Sequence, residues 1–327
     1  WTQVEEASKR EEPVTIYSYN LVGDTGTAVG AAFTKKTGLK LNIISGPTAS
    51  ALERVKVERR GAVQVASILT GSVSFLLVAK ESGLTQKIGG LPELRKESIA
   101  RYEPVADKDG HILVVNGSVY SPWIHTTLVP PGTEPKSWRD LLKPEWKGKI
   151  GMPDPDLNPS PNVLYYGLTS RGRLDTAYFT QLAKQDLRYY ATSGTSGQAL
   201  GRGEVPFFFS TSAGPLVAFL QQGVKLKAID MAEGVLLLKA GSGLILVEGS
   251  PQPNSARVFI NWFMSQEGQT VFHKNQGTFG FRNDVPNFEP PEAQLTPANP
   301  ILWNLEDWDK AAQIQKDGIF KKLLAGK

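Results

Sequence analysis

Short apolar runs alternate with amphipathic stretches along the first third of the chain. The runs from Val14 to Tyr19, Leu39 to Ile44 and Val65 to Leu69 are rich in aliphatic and β-branched residues, which favours strands. Each run ends in a polar loop and is followed by residues with helical spacing, such as Val29 and Phe33. Strand, loop and helix repeated in this order predict a parallel sheet with helical crossovers over about the first 115 residues.

The second half of the chain continues the alternation less regularly. The continuously apolar run from Val205 to Phe209 predicts a buried central strand. A helix is predicted between Pro251 and Gln269, with Ser255 as its cap and Gly268 at its end. Its apolar residues recur at helical spacing, at Ala256, Phe259, Ile260, Phe263 and Met264.

The tail has a further amphipathic segment, with apolar residues at Trp308, Ala312, Ile319 and Leu323. We expect it to form a terminal helix that covers the first α/β unit. The chain of 327 residues is long enough for two such units.

Composition and charge exclude several classes of function. The 36 basic and 32 acidic residues are spread along the chain, for a net charge of +4, which indicates a solvated surface and no nucleic-acid-binding patch. No apolar run is long enough to cross a bilayer, so we expect no membrane insertion. The absence of cysteine excludes disulfides, thiolate metal sites and a cysteine nucleophile. The start at Trp1 and the charged run that follows are interpreted as a mature N-terminus after removal of an export leader.

One stretch carries a specific resemblance. The segment Trp138–Ile150 reads W-x-D-L-L-x-P-x-W-K-G-K-I, preceded by Ser137 as a helix cap and followed by a loop rich in proline and aspartate. Together with Tyr17-Ser18, the segment Lys35–Leu39 and the pair Glu233-Gly234, it resembles the solute-binding proteins of bacterial ABC importers, in the branch that includes the ferric-iron-binding proteins. The resemblance runs from about residue 14 to 285.

The resemblance implies an α/β fold of the type II periplasmic-binding-protein architecture, with a ligand cleft between two lobes joined by a two-strand hinge. The lobes are expected at residues 1–117 plus 231–327 and at residues 118–230. It also implies no enzymatic activity, a small-molecule ligand, an ABC permease as partner, and a monomer in the periplasm or outside the cell, with or without a lipid anchor on the precursor.

Four predicted loops between a strand end and a helix start are rich in small hydroxyl residues, at 45–50, 158–162, 193–196 and 210–212. Helix N-termini offer unpaired N–H groups that bind oxyanions, and ligands of open α/β sheets lie at the carboxyl ends of the strands. Plain helix capping explains any single residue here; the set as a whole favours binding. The candidate ligand-binding residues are Tyr19, Asn20, Ser45, Thr48, Thr70, Ser72, Ser160, Asn162, Ser193, Thr195, Ser210, Ser212 and Glu233.

The expected ligand is therefore a carboxylate, phosphonate or phosphate ester. A polyamine or another cation is the alternative within the family, and it needs Asp24, Glu233 and aromatic faces. An enzyme or sensor partner on the same scaffold is the alternative outside it. No phosphate-binding loop, nucleophile elbow or zinc-protease motif occurs in the sequence.

The iron site of the family does not carry over. Its iron-binding members have adjacent tyrosines just after the strand that here reads Phe207-Phe208-Phe209-Ser210. Phenylalanine cannot coordinate a metal, and His111, His125 and His273 show no ligand spacing. The pairs at 165–166 and 189–190 are tyrosines at other positions, where core packing is expected. We predict no metal and no cofactor.

Overall fold

The computed structural model describes residues 1–11, 13–95, 105–158, 160–304 and 307–326, without the side chains of Arg95, Ser193, Ser210, Pro215, Lys239 and Ala240. The chain divides into two compact units. The first unit comprises Trp1–Gly117 and Lys239–Phe288, and the second comprises Ser118–Leu238 and Glu289–Lys327.

Helices and strands alternate through both units. The helices of the described residues are α1 (Thr2–Ser8), α2 (Gly23–Thr37), α3 (Thr48–Arg60), α4 (Val73–Glu81), α5 (Ser160–Ser170), α6 (Thr176–Leu182), α7 (Ser193–Gly201), α8 (Val217–Gln221), α9 (Pro253–Phe263), α10 (Gln266–Gln276), α11 (Asp307–Lys316) and α12 (Ile319–Leu324). The strands are β1 (Val14–Ser18), β2 (Leu41–Ser45), β3 (Ile68–Ser72), β4 (Thr85–Gln86), β5 (Ile112–His125), β6 (Ile150–Pro153), β7 (Arg188–Tyr190), β8 (Phe207–Thr211), β9 (Leu226–Ala228), β10 (Leu236–Val247) and β11 (Ile301–Trp303).

The sheet of the first unit is parallel where the sequence predicted it. Strand β1 pairs in parallel with β2 on one side and β3 on the other, and β10 adds to β3 in the antiparallel sense. All five residues of β1 are buried, as expected of a central strand covered on both faces. Phe33 of α2 meets Phe259 of α9 edge to face at 5.3 Å in the main core of this unit.

The helix predicted near the C-terminal end of this unit is two helices. Ser265 interrupts it and caps α10 by accepting a hydrogen bond from the Gly268 N–H at 3.2 Å. Gly268 therefore lies inside a helix, pressed against the backbone of Trp262, where a side chain would not fit. Ser255 lies inside α9 and donates to the Ser8 carbonyl at 3.0 Å, which ties α1 to α9. The expected cap and end residues were wrong because both are small residues that permit close packing.

The second unit has its own sheet. Strand β6 pairs in parallel with β7 and β8, while β5 is antiparallel to both β8 and β9. The tryptophans of the family-like stretch lie in its core, Trp138 against Phe209 at 5.1 Å and Trp146 against Phe207 at 5.5 Å. The predicted buried strand before residue 210 is β8.

The C-terminal tail packs in the second unit, whereas the sequence analysis expected it on the first. Phe320 of α12 stacks on Tyr165 of α5 with ring centroids 4.6 Å apart, and α11 also packs on α5. The buried apolar residues are Trp308, Ala311, Phe320 and Leu324. At three of the four expected positions the buried residue is the neighbour of the expected one, and two short helices meet at Gly318 where one continuous helix was assumed.

The chain passes between the units at three points. Two of them lie inside long strands, after Gly117 in β5 and after Leu238 in β10, and the third follows Phe288. No described helix has both the length and the apolar character required to cross a membrane.

Candidate functional site

Two parallel strands of the first unit, β1 and β2, end level with one another, and the neighbouring β3 continues two residues further. Ser18 of β1 lies opposite Ser45 of β2 and Thr70 of β3 in the pairing register. A helix begins after each strand, and none of α2, α3 and α4 has a side-chain cap at its N-terminus. The first N–H groups of three helices therefore remain without side-chain acceptors at one edge of the sheet, which is suited to an oxyanion.

The predicted residue Asn20 is held in place by hydrogen bonds at this edge. Its buried side-chain oxygen accepts from the Thr70 hydroxyl at 2.7 Å and the Ser18 hydroxyl at 3.2 Å. Its side-chain nitrogen donates to the Ser242 hydroxyl at 3.2 Å, and its carbonyl accepts from Gln276 at 2.6 Å. Asn20 and Thr70 thus fix the loop, and their polar atoms are largely engaged.

Tyr19 differs from its neighbours because its side chain is 59% exposed. Its backbone N–H donates to the Thr70 carbonyl at 3.3 Å, so the exposed ring is carried on an anchored backbone. The ring and hydroxyl are free to meet a ligand at the edge of the sheet.

The remaining predicted residues of the first unit are arranged around α3 and α4. The Ser45 hydroxyl donates to the Leu21 carbonyl at 2.9 Å. Buried Thr48 accepts from the Ser72 N–H at 3.3 Å, and its side chain fills the space that a β-carbon at Gly71 would need. The half-buried Ser72 hydroxyl shares a 3.0 Å hydrogen bond with Ser74.

In the second unit a helix likewise follows each of the parallel strands β6, β7 and β8. Ser160, the first residue of α5, is 4% exposed, and its hydroxyl has no hydrogen-bond partner among the described residues. Asn162 is also buried, but its side-chain nitrogen donates to the Pro155 carbonyl at 2.7 Å.

The other predicted residues of this edge have structural roles or lie outside the description. Thr195 forms a capping box with Thr192 at the start of α7, so its hydroxyl is engaged. Ser212 is half-buried after β8. The side chains of Ser193 and Ser210 are outside the described part of the chain.

Glu233 is a capping residue. Its carboxylate accepts from the Ser137 hydroxyl at 2.6 Å and from the Trp138 N–H at 3.0 Å. Ser137 itself accepts from the Arg139 N–H at 3.1 Å and caps the short helix Trp138–Leu142, as the sequence predicted. Both carboxylate oxygens of Glu233 are therefore engaged with the start of this helix.

An ion-pair cluster not foreseen from the sequence lies beside the β6 edge. Lys321 of α12 donates to Asp154 at 2.9 Å and to Asp156 at 3.0 Å. Burial alone would raise the pKa of the Asp154 carboxyl, but the hydrogen bonds from Lys321 and the Asp156 N–H, with the charge of Lys321, outweigh burial and lower it. Lys321 therefore offsets part of the negative charge that Asp154 and Asp156 place in the loop after β6.

The aromatic residues offer no set of metal ligands in the described part of the chain. Phe207, Phe208 and Phe209 are fully buried. Burial raises the pKa of the hydroxyl of Tyr189, which is 42% exposed at the β7 edge, and so disfavours a phenolate there. No group of three or more histidine and carboxylate residues suited to a metal occurs among the described residues.

The family model of the bacterial extracellular solute-binding proteins matches residues 14–278. The chain belongs to this family. It is a solute-binding receptor of the kind that works outside the cytoplasm and cooperates with a membrane permease. The family is one of binding proteins and not of catalysts.

Relatives and solved structures agree with this assignment. The chain is 24% identical over 315 residues to a putative 2-aminoethylphosphonate-binding periplasmic protein of Salmonella typhi, covering 91% of this chain and 86% of that protein. Iron-bound HitA from Pseudomonas aeruginosa is similar in fold, with a TM-score of 0.75, 19% identity, and 94% and 99% of the two chains covered. AfuA from Actinobacillus pleuropneumoniae with bound fructose-6-phosphate has a TM-score of 0.71, 17% identity, and 96% and 98% covered. The expected periplasmic-binding-protein fold is confirmed.

Sequence reasoning missed the residues that support the edge. Ser18, Ser242 and Lys321 all bond to predicted loops or residues, yet Ser242 and Lys321 are more than 150 residues away from their partners. The only signal for Ser242 was its position as a polar residue inside an apolar run.

Proposed function

We propose that this receptor captures a small oxyanion, specifically a phosphonate or phosphate monoester, for delivery to an ABC permease. Backbone N–H groups at helix N-termini and hydroxyls at strand ends hold the ligand's oxygen atoms. Such neutral donors stabilise an anion without a cationic side chain, because the helix dipole and several N–H groups act together.

The observation that carries the proposal is the Ser160 hydroxyl. It is buried, has no partner among the described residues, and stands at the first position of an 11-residue helix. A buried hydroxyl without a partner costs about 1–3 kcal/mol, so such a group needs a reason to persist. An anion bound at the start of α5 would accept from this hydroxyl, because the Ser160 N–H already donates to the side-chain oxygen of Asn158 at 2.9 Å and Pro161 has no N–H.

The charge distribution favours an anion over a cation. Of the two carboxylates that a polyamine would need, Asp24 and Glu233, the carboxylate of Glu233 is engaged with the start of the Trp138 helix. Ferric iron lacks its phenolate pair because phenylalanines occupy β8. Two of the three similar proteins are named with a ligand of this chemistry, since 2-aminoethylphosphonate and fructose-6-phosphate both present a tetrahedral phosphorus group, whereas HitA is named as iron-bound.

The test is a thermal-melt screen of protein that has been unfolded and refolded to remove carried-over ligand. The panel contains 2-aminoethylphosphonate, fructose-6-phosphate, inorganic phosphate, citrate, ferric citrate and spermidine. A ligand at about one hundred times its dissociation constant adds about 2.7 kcal/mol to the free energy of unfolding, which raises the melting temperature by several degrees. We expect the increase with a phosphonate or phosphate ester.

An increase with spermidine or ferric citrate alone would overturn the proposal. An increase with citrate alone would retain the oxyanion and reject the phosphorus chemistry. Closure about the two crossing strands, expected from the family resemblance, stays a prediction. It is measured by small-angle scattering with and without the ligand that the screen identifies.

A further inference from the structure

Two polar side chains lie in the strands through which the chain leaves the first unit. Asn116 of β5 precedes the crossing at Gly117, and Ser242 of β10 follows the crossing at Leu238. The Ser242 N–H and hydroxyl both donate to the side-chain oxygen of Asn116 at 2.7 Å. This side-chain oxygen therefore fastens the two strands together just inside the first unit.

The same hydroxyl also reaches the strand-end loop. Ser242 accepts from the side-chain nitrogen of Asn20 at 3.2 Å, and the side-chain oxygen of Asn20 accepts from Thr70 at 2.7 Å. We call the chain of hydrogen bonds from Asn116 through Ser242 and Asn20 to Thr70 the buried relay. It joins residues up to 222 positions apart in sequence.

The buried relay is placed where apolar packing would be the default. Ser242 interrupts an apolar strand, and Ser242, Asn20 and Thr70 are each less than one-tenth exposed. A buried polar network is costly unless every member is paired, and when paired it fixes one geometry. Here the geometry that it fixes is the backbone that carries Tyr19, whose N–H donates to the Thr70 carbonyl.

We propose that Asn116 and Ser242 are positioning residues for ligand binding. They hold the Tyr19–Asn20 loop in a fixed position relative to the crossing strands. The conformation of those strands therefore affects the ligand affinity of the loop, and ligand binding at the loop affects the conformation of the strands. Neither residue contacts the ligand. The expected effect on ligand affinity rests on the proposed function, whereas the expected effect on amide exchange rests on the loop alone.

The first experiment compares Ser242→Ala with Ser255→Ala. Each removes one buried serine hydroxyl of the first unit, but the hydroxyl of Ser255 donates to the Ser8 carbonyl of α1 and, among the described residues, takes no part in the relay. By calorimetry with 2-aminoethylphosphonate, we expect Ser242→Ala, which removes the hydrogen bonds of this hydroxyl to Asn116 and Asn20, to weaken binding about three- to tenfold. We expect Ser255→Ala to keep the wild-type affinity, and Ser242→Thr, which retains the hydroxyl, to recover most of it.

The second experiment needs no ligand. Amide hydrogen exchange reports the anchoring of Tyr19 and Leu21, whose N–H groups donate to Thr70 and Ser18. We expect both amides to exchange faster in Ser242→Ala than in the wild type or in Ser255→Ala. Exchange at the wild-type rate would overturn the inference, as would equal loss of affinity in both alanine variants. If the wild type binds no compound of the panel, the proposed function fails, and the exchange rates alone decide the relay.

Discussion

Hydroxyl side chains at the strand ends divide into two kinds. Those of Ser45, Thr48 and Thr195 complete hydrogen bonds to backbone atoms, so their removal would disturb the protein itself. The hydroxyl of Ser160 completes none among the described residues. Stability and binding should therefore respond differently at Ser160 than at the other three positions.

We expect Ser160→Ala to keep or slightly raise the melting temperature of the ligand-free protein, because it removes a buried polar group that has no partner. The same change should weaken oxyanion binding by about tenfold or more, as expected for a hydrogen bond to a charged group. Melting curves and calorimetry measure the two effects.

Ser170→Ala is the matched control at the other end of α5, where the serine hydroxyl is exposed and donates to the Tyr166 carbonyl. It should leave the affinity unchanged. Equal affinities of the Ser160 variant and the wild type would show that this hydroxyl does not meet the ligand.

Sequence alone can locate residues at strand ends but not their hydrogen-bond partners. Residue type and position placed Asn20, Ser160 and Glu233 together in one candidate set. The fold then separated them into a loop anchor, an unpaired donor and a helix cap. Glu233 could not be identified as a cap from the sequence because its partner Ser137 lies 96 residues away.

At the scale of elements, hydrophobic periodicity predicted which helices and strands exist better than it predicted where each one begins and ends. Strands β1, β3 and β8 and the helix α9 occur where apolar patterning placed them, because burial on one or both faces dictates that pattern. The division at Ser265 was missed, since apolar residues continue at helical spacing up to the break at Met264. The ion-pair cluster between α12 and the loop after β6 was missed because ion pairs leave no periodic signal in the sequence.

The substitution Lys321→Met tests the contribution of that ion-pair cluster to stability. It leaves Asp154 and Asp156 without their shared cation, and we expect the free energy of unfolding to fall by about 1 kcal/mol at pH 7, a modest value because the pair is partly exposed. The folded-state pKa of Asp154 lies below its ordinary value of 3.8, so the pair stabilises above that pH and loses its effect as the pH falls through the lowered pKa. Denaturant titrations of both proteins from pH 7 to pH 2 should therefore converge at the acid end.

Lys147→Met provides the comparison in the same unit. Lys147 and Asp186 form an exposed pair at 3.5 Å, so its loss should change the free energy of unfolding by less than about 0.5 kcal/mol. If the destabilisation caused by Lys321→Met persists unchanged below pH 3.8, then packing of the lysine stem, and not its charge, accounts for the stabilisation by Lys321.

For the whole molecule, the least predictable feature was which chain segments make up each unit. Both crossings inside strands fall at short polar breaks, at 116–118 in β5 and from Lys239 in β10, which interrupt the apolar pattern without ending the strand. The tail carries an apolar face in the sequence, but an apolar face does not say which surface it covers. Stacking of Phe320 on Tyr165 decides the matter in favour of the second unit.

A truncation after Phe288 tests whether the tail stabilises the second unit. It removes α11, α12 and β11 from the second unit and exposes the face of α5, so amide protection should be lost from described residues between 118 and 238. Residues 14–81 should remain protected, as read by hydrogen exchange with mass spectrometry. Deletion of α1, which packs on α9, should produce the reverse pattern. Loss of protection in the first unit alone after truncation would mean that the tail stabilises that unit.

The antiparallel pairing of β10 with β3 also has a consequence for biosynthesis. Ser72 and Ser242 are paired in register, although the whole chain between them must be made first. A nascent chain that stops before residue 239 presents β3 as an open sheet edge with a freshly exposed apolar core behind it, a surface prone to aggregation. Such a chain gains from being held unfolded until its synthesis is complete.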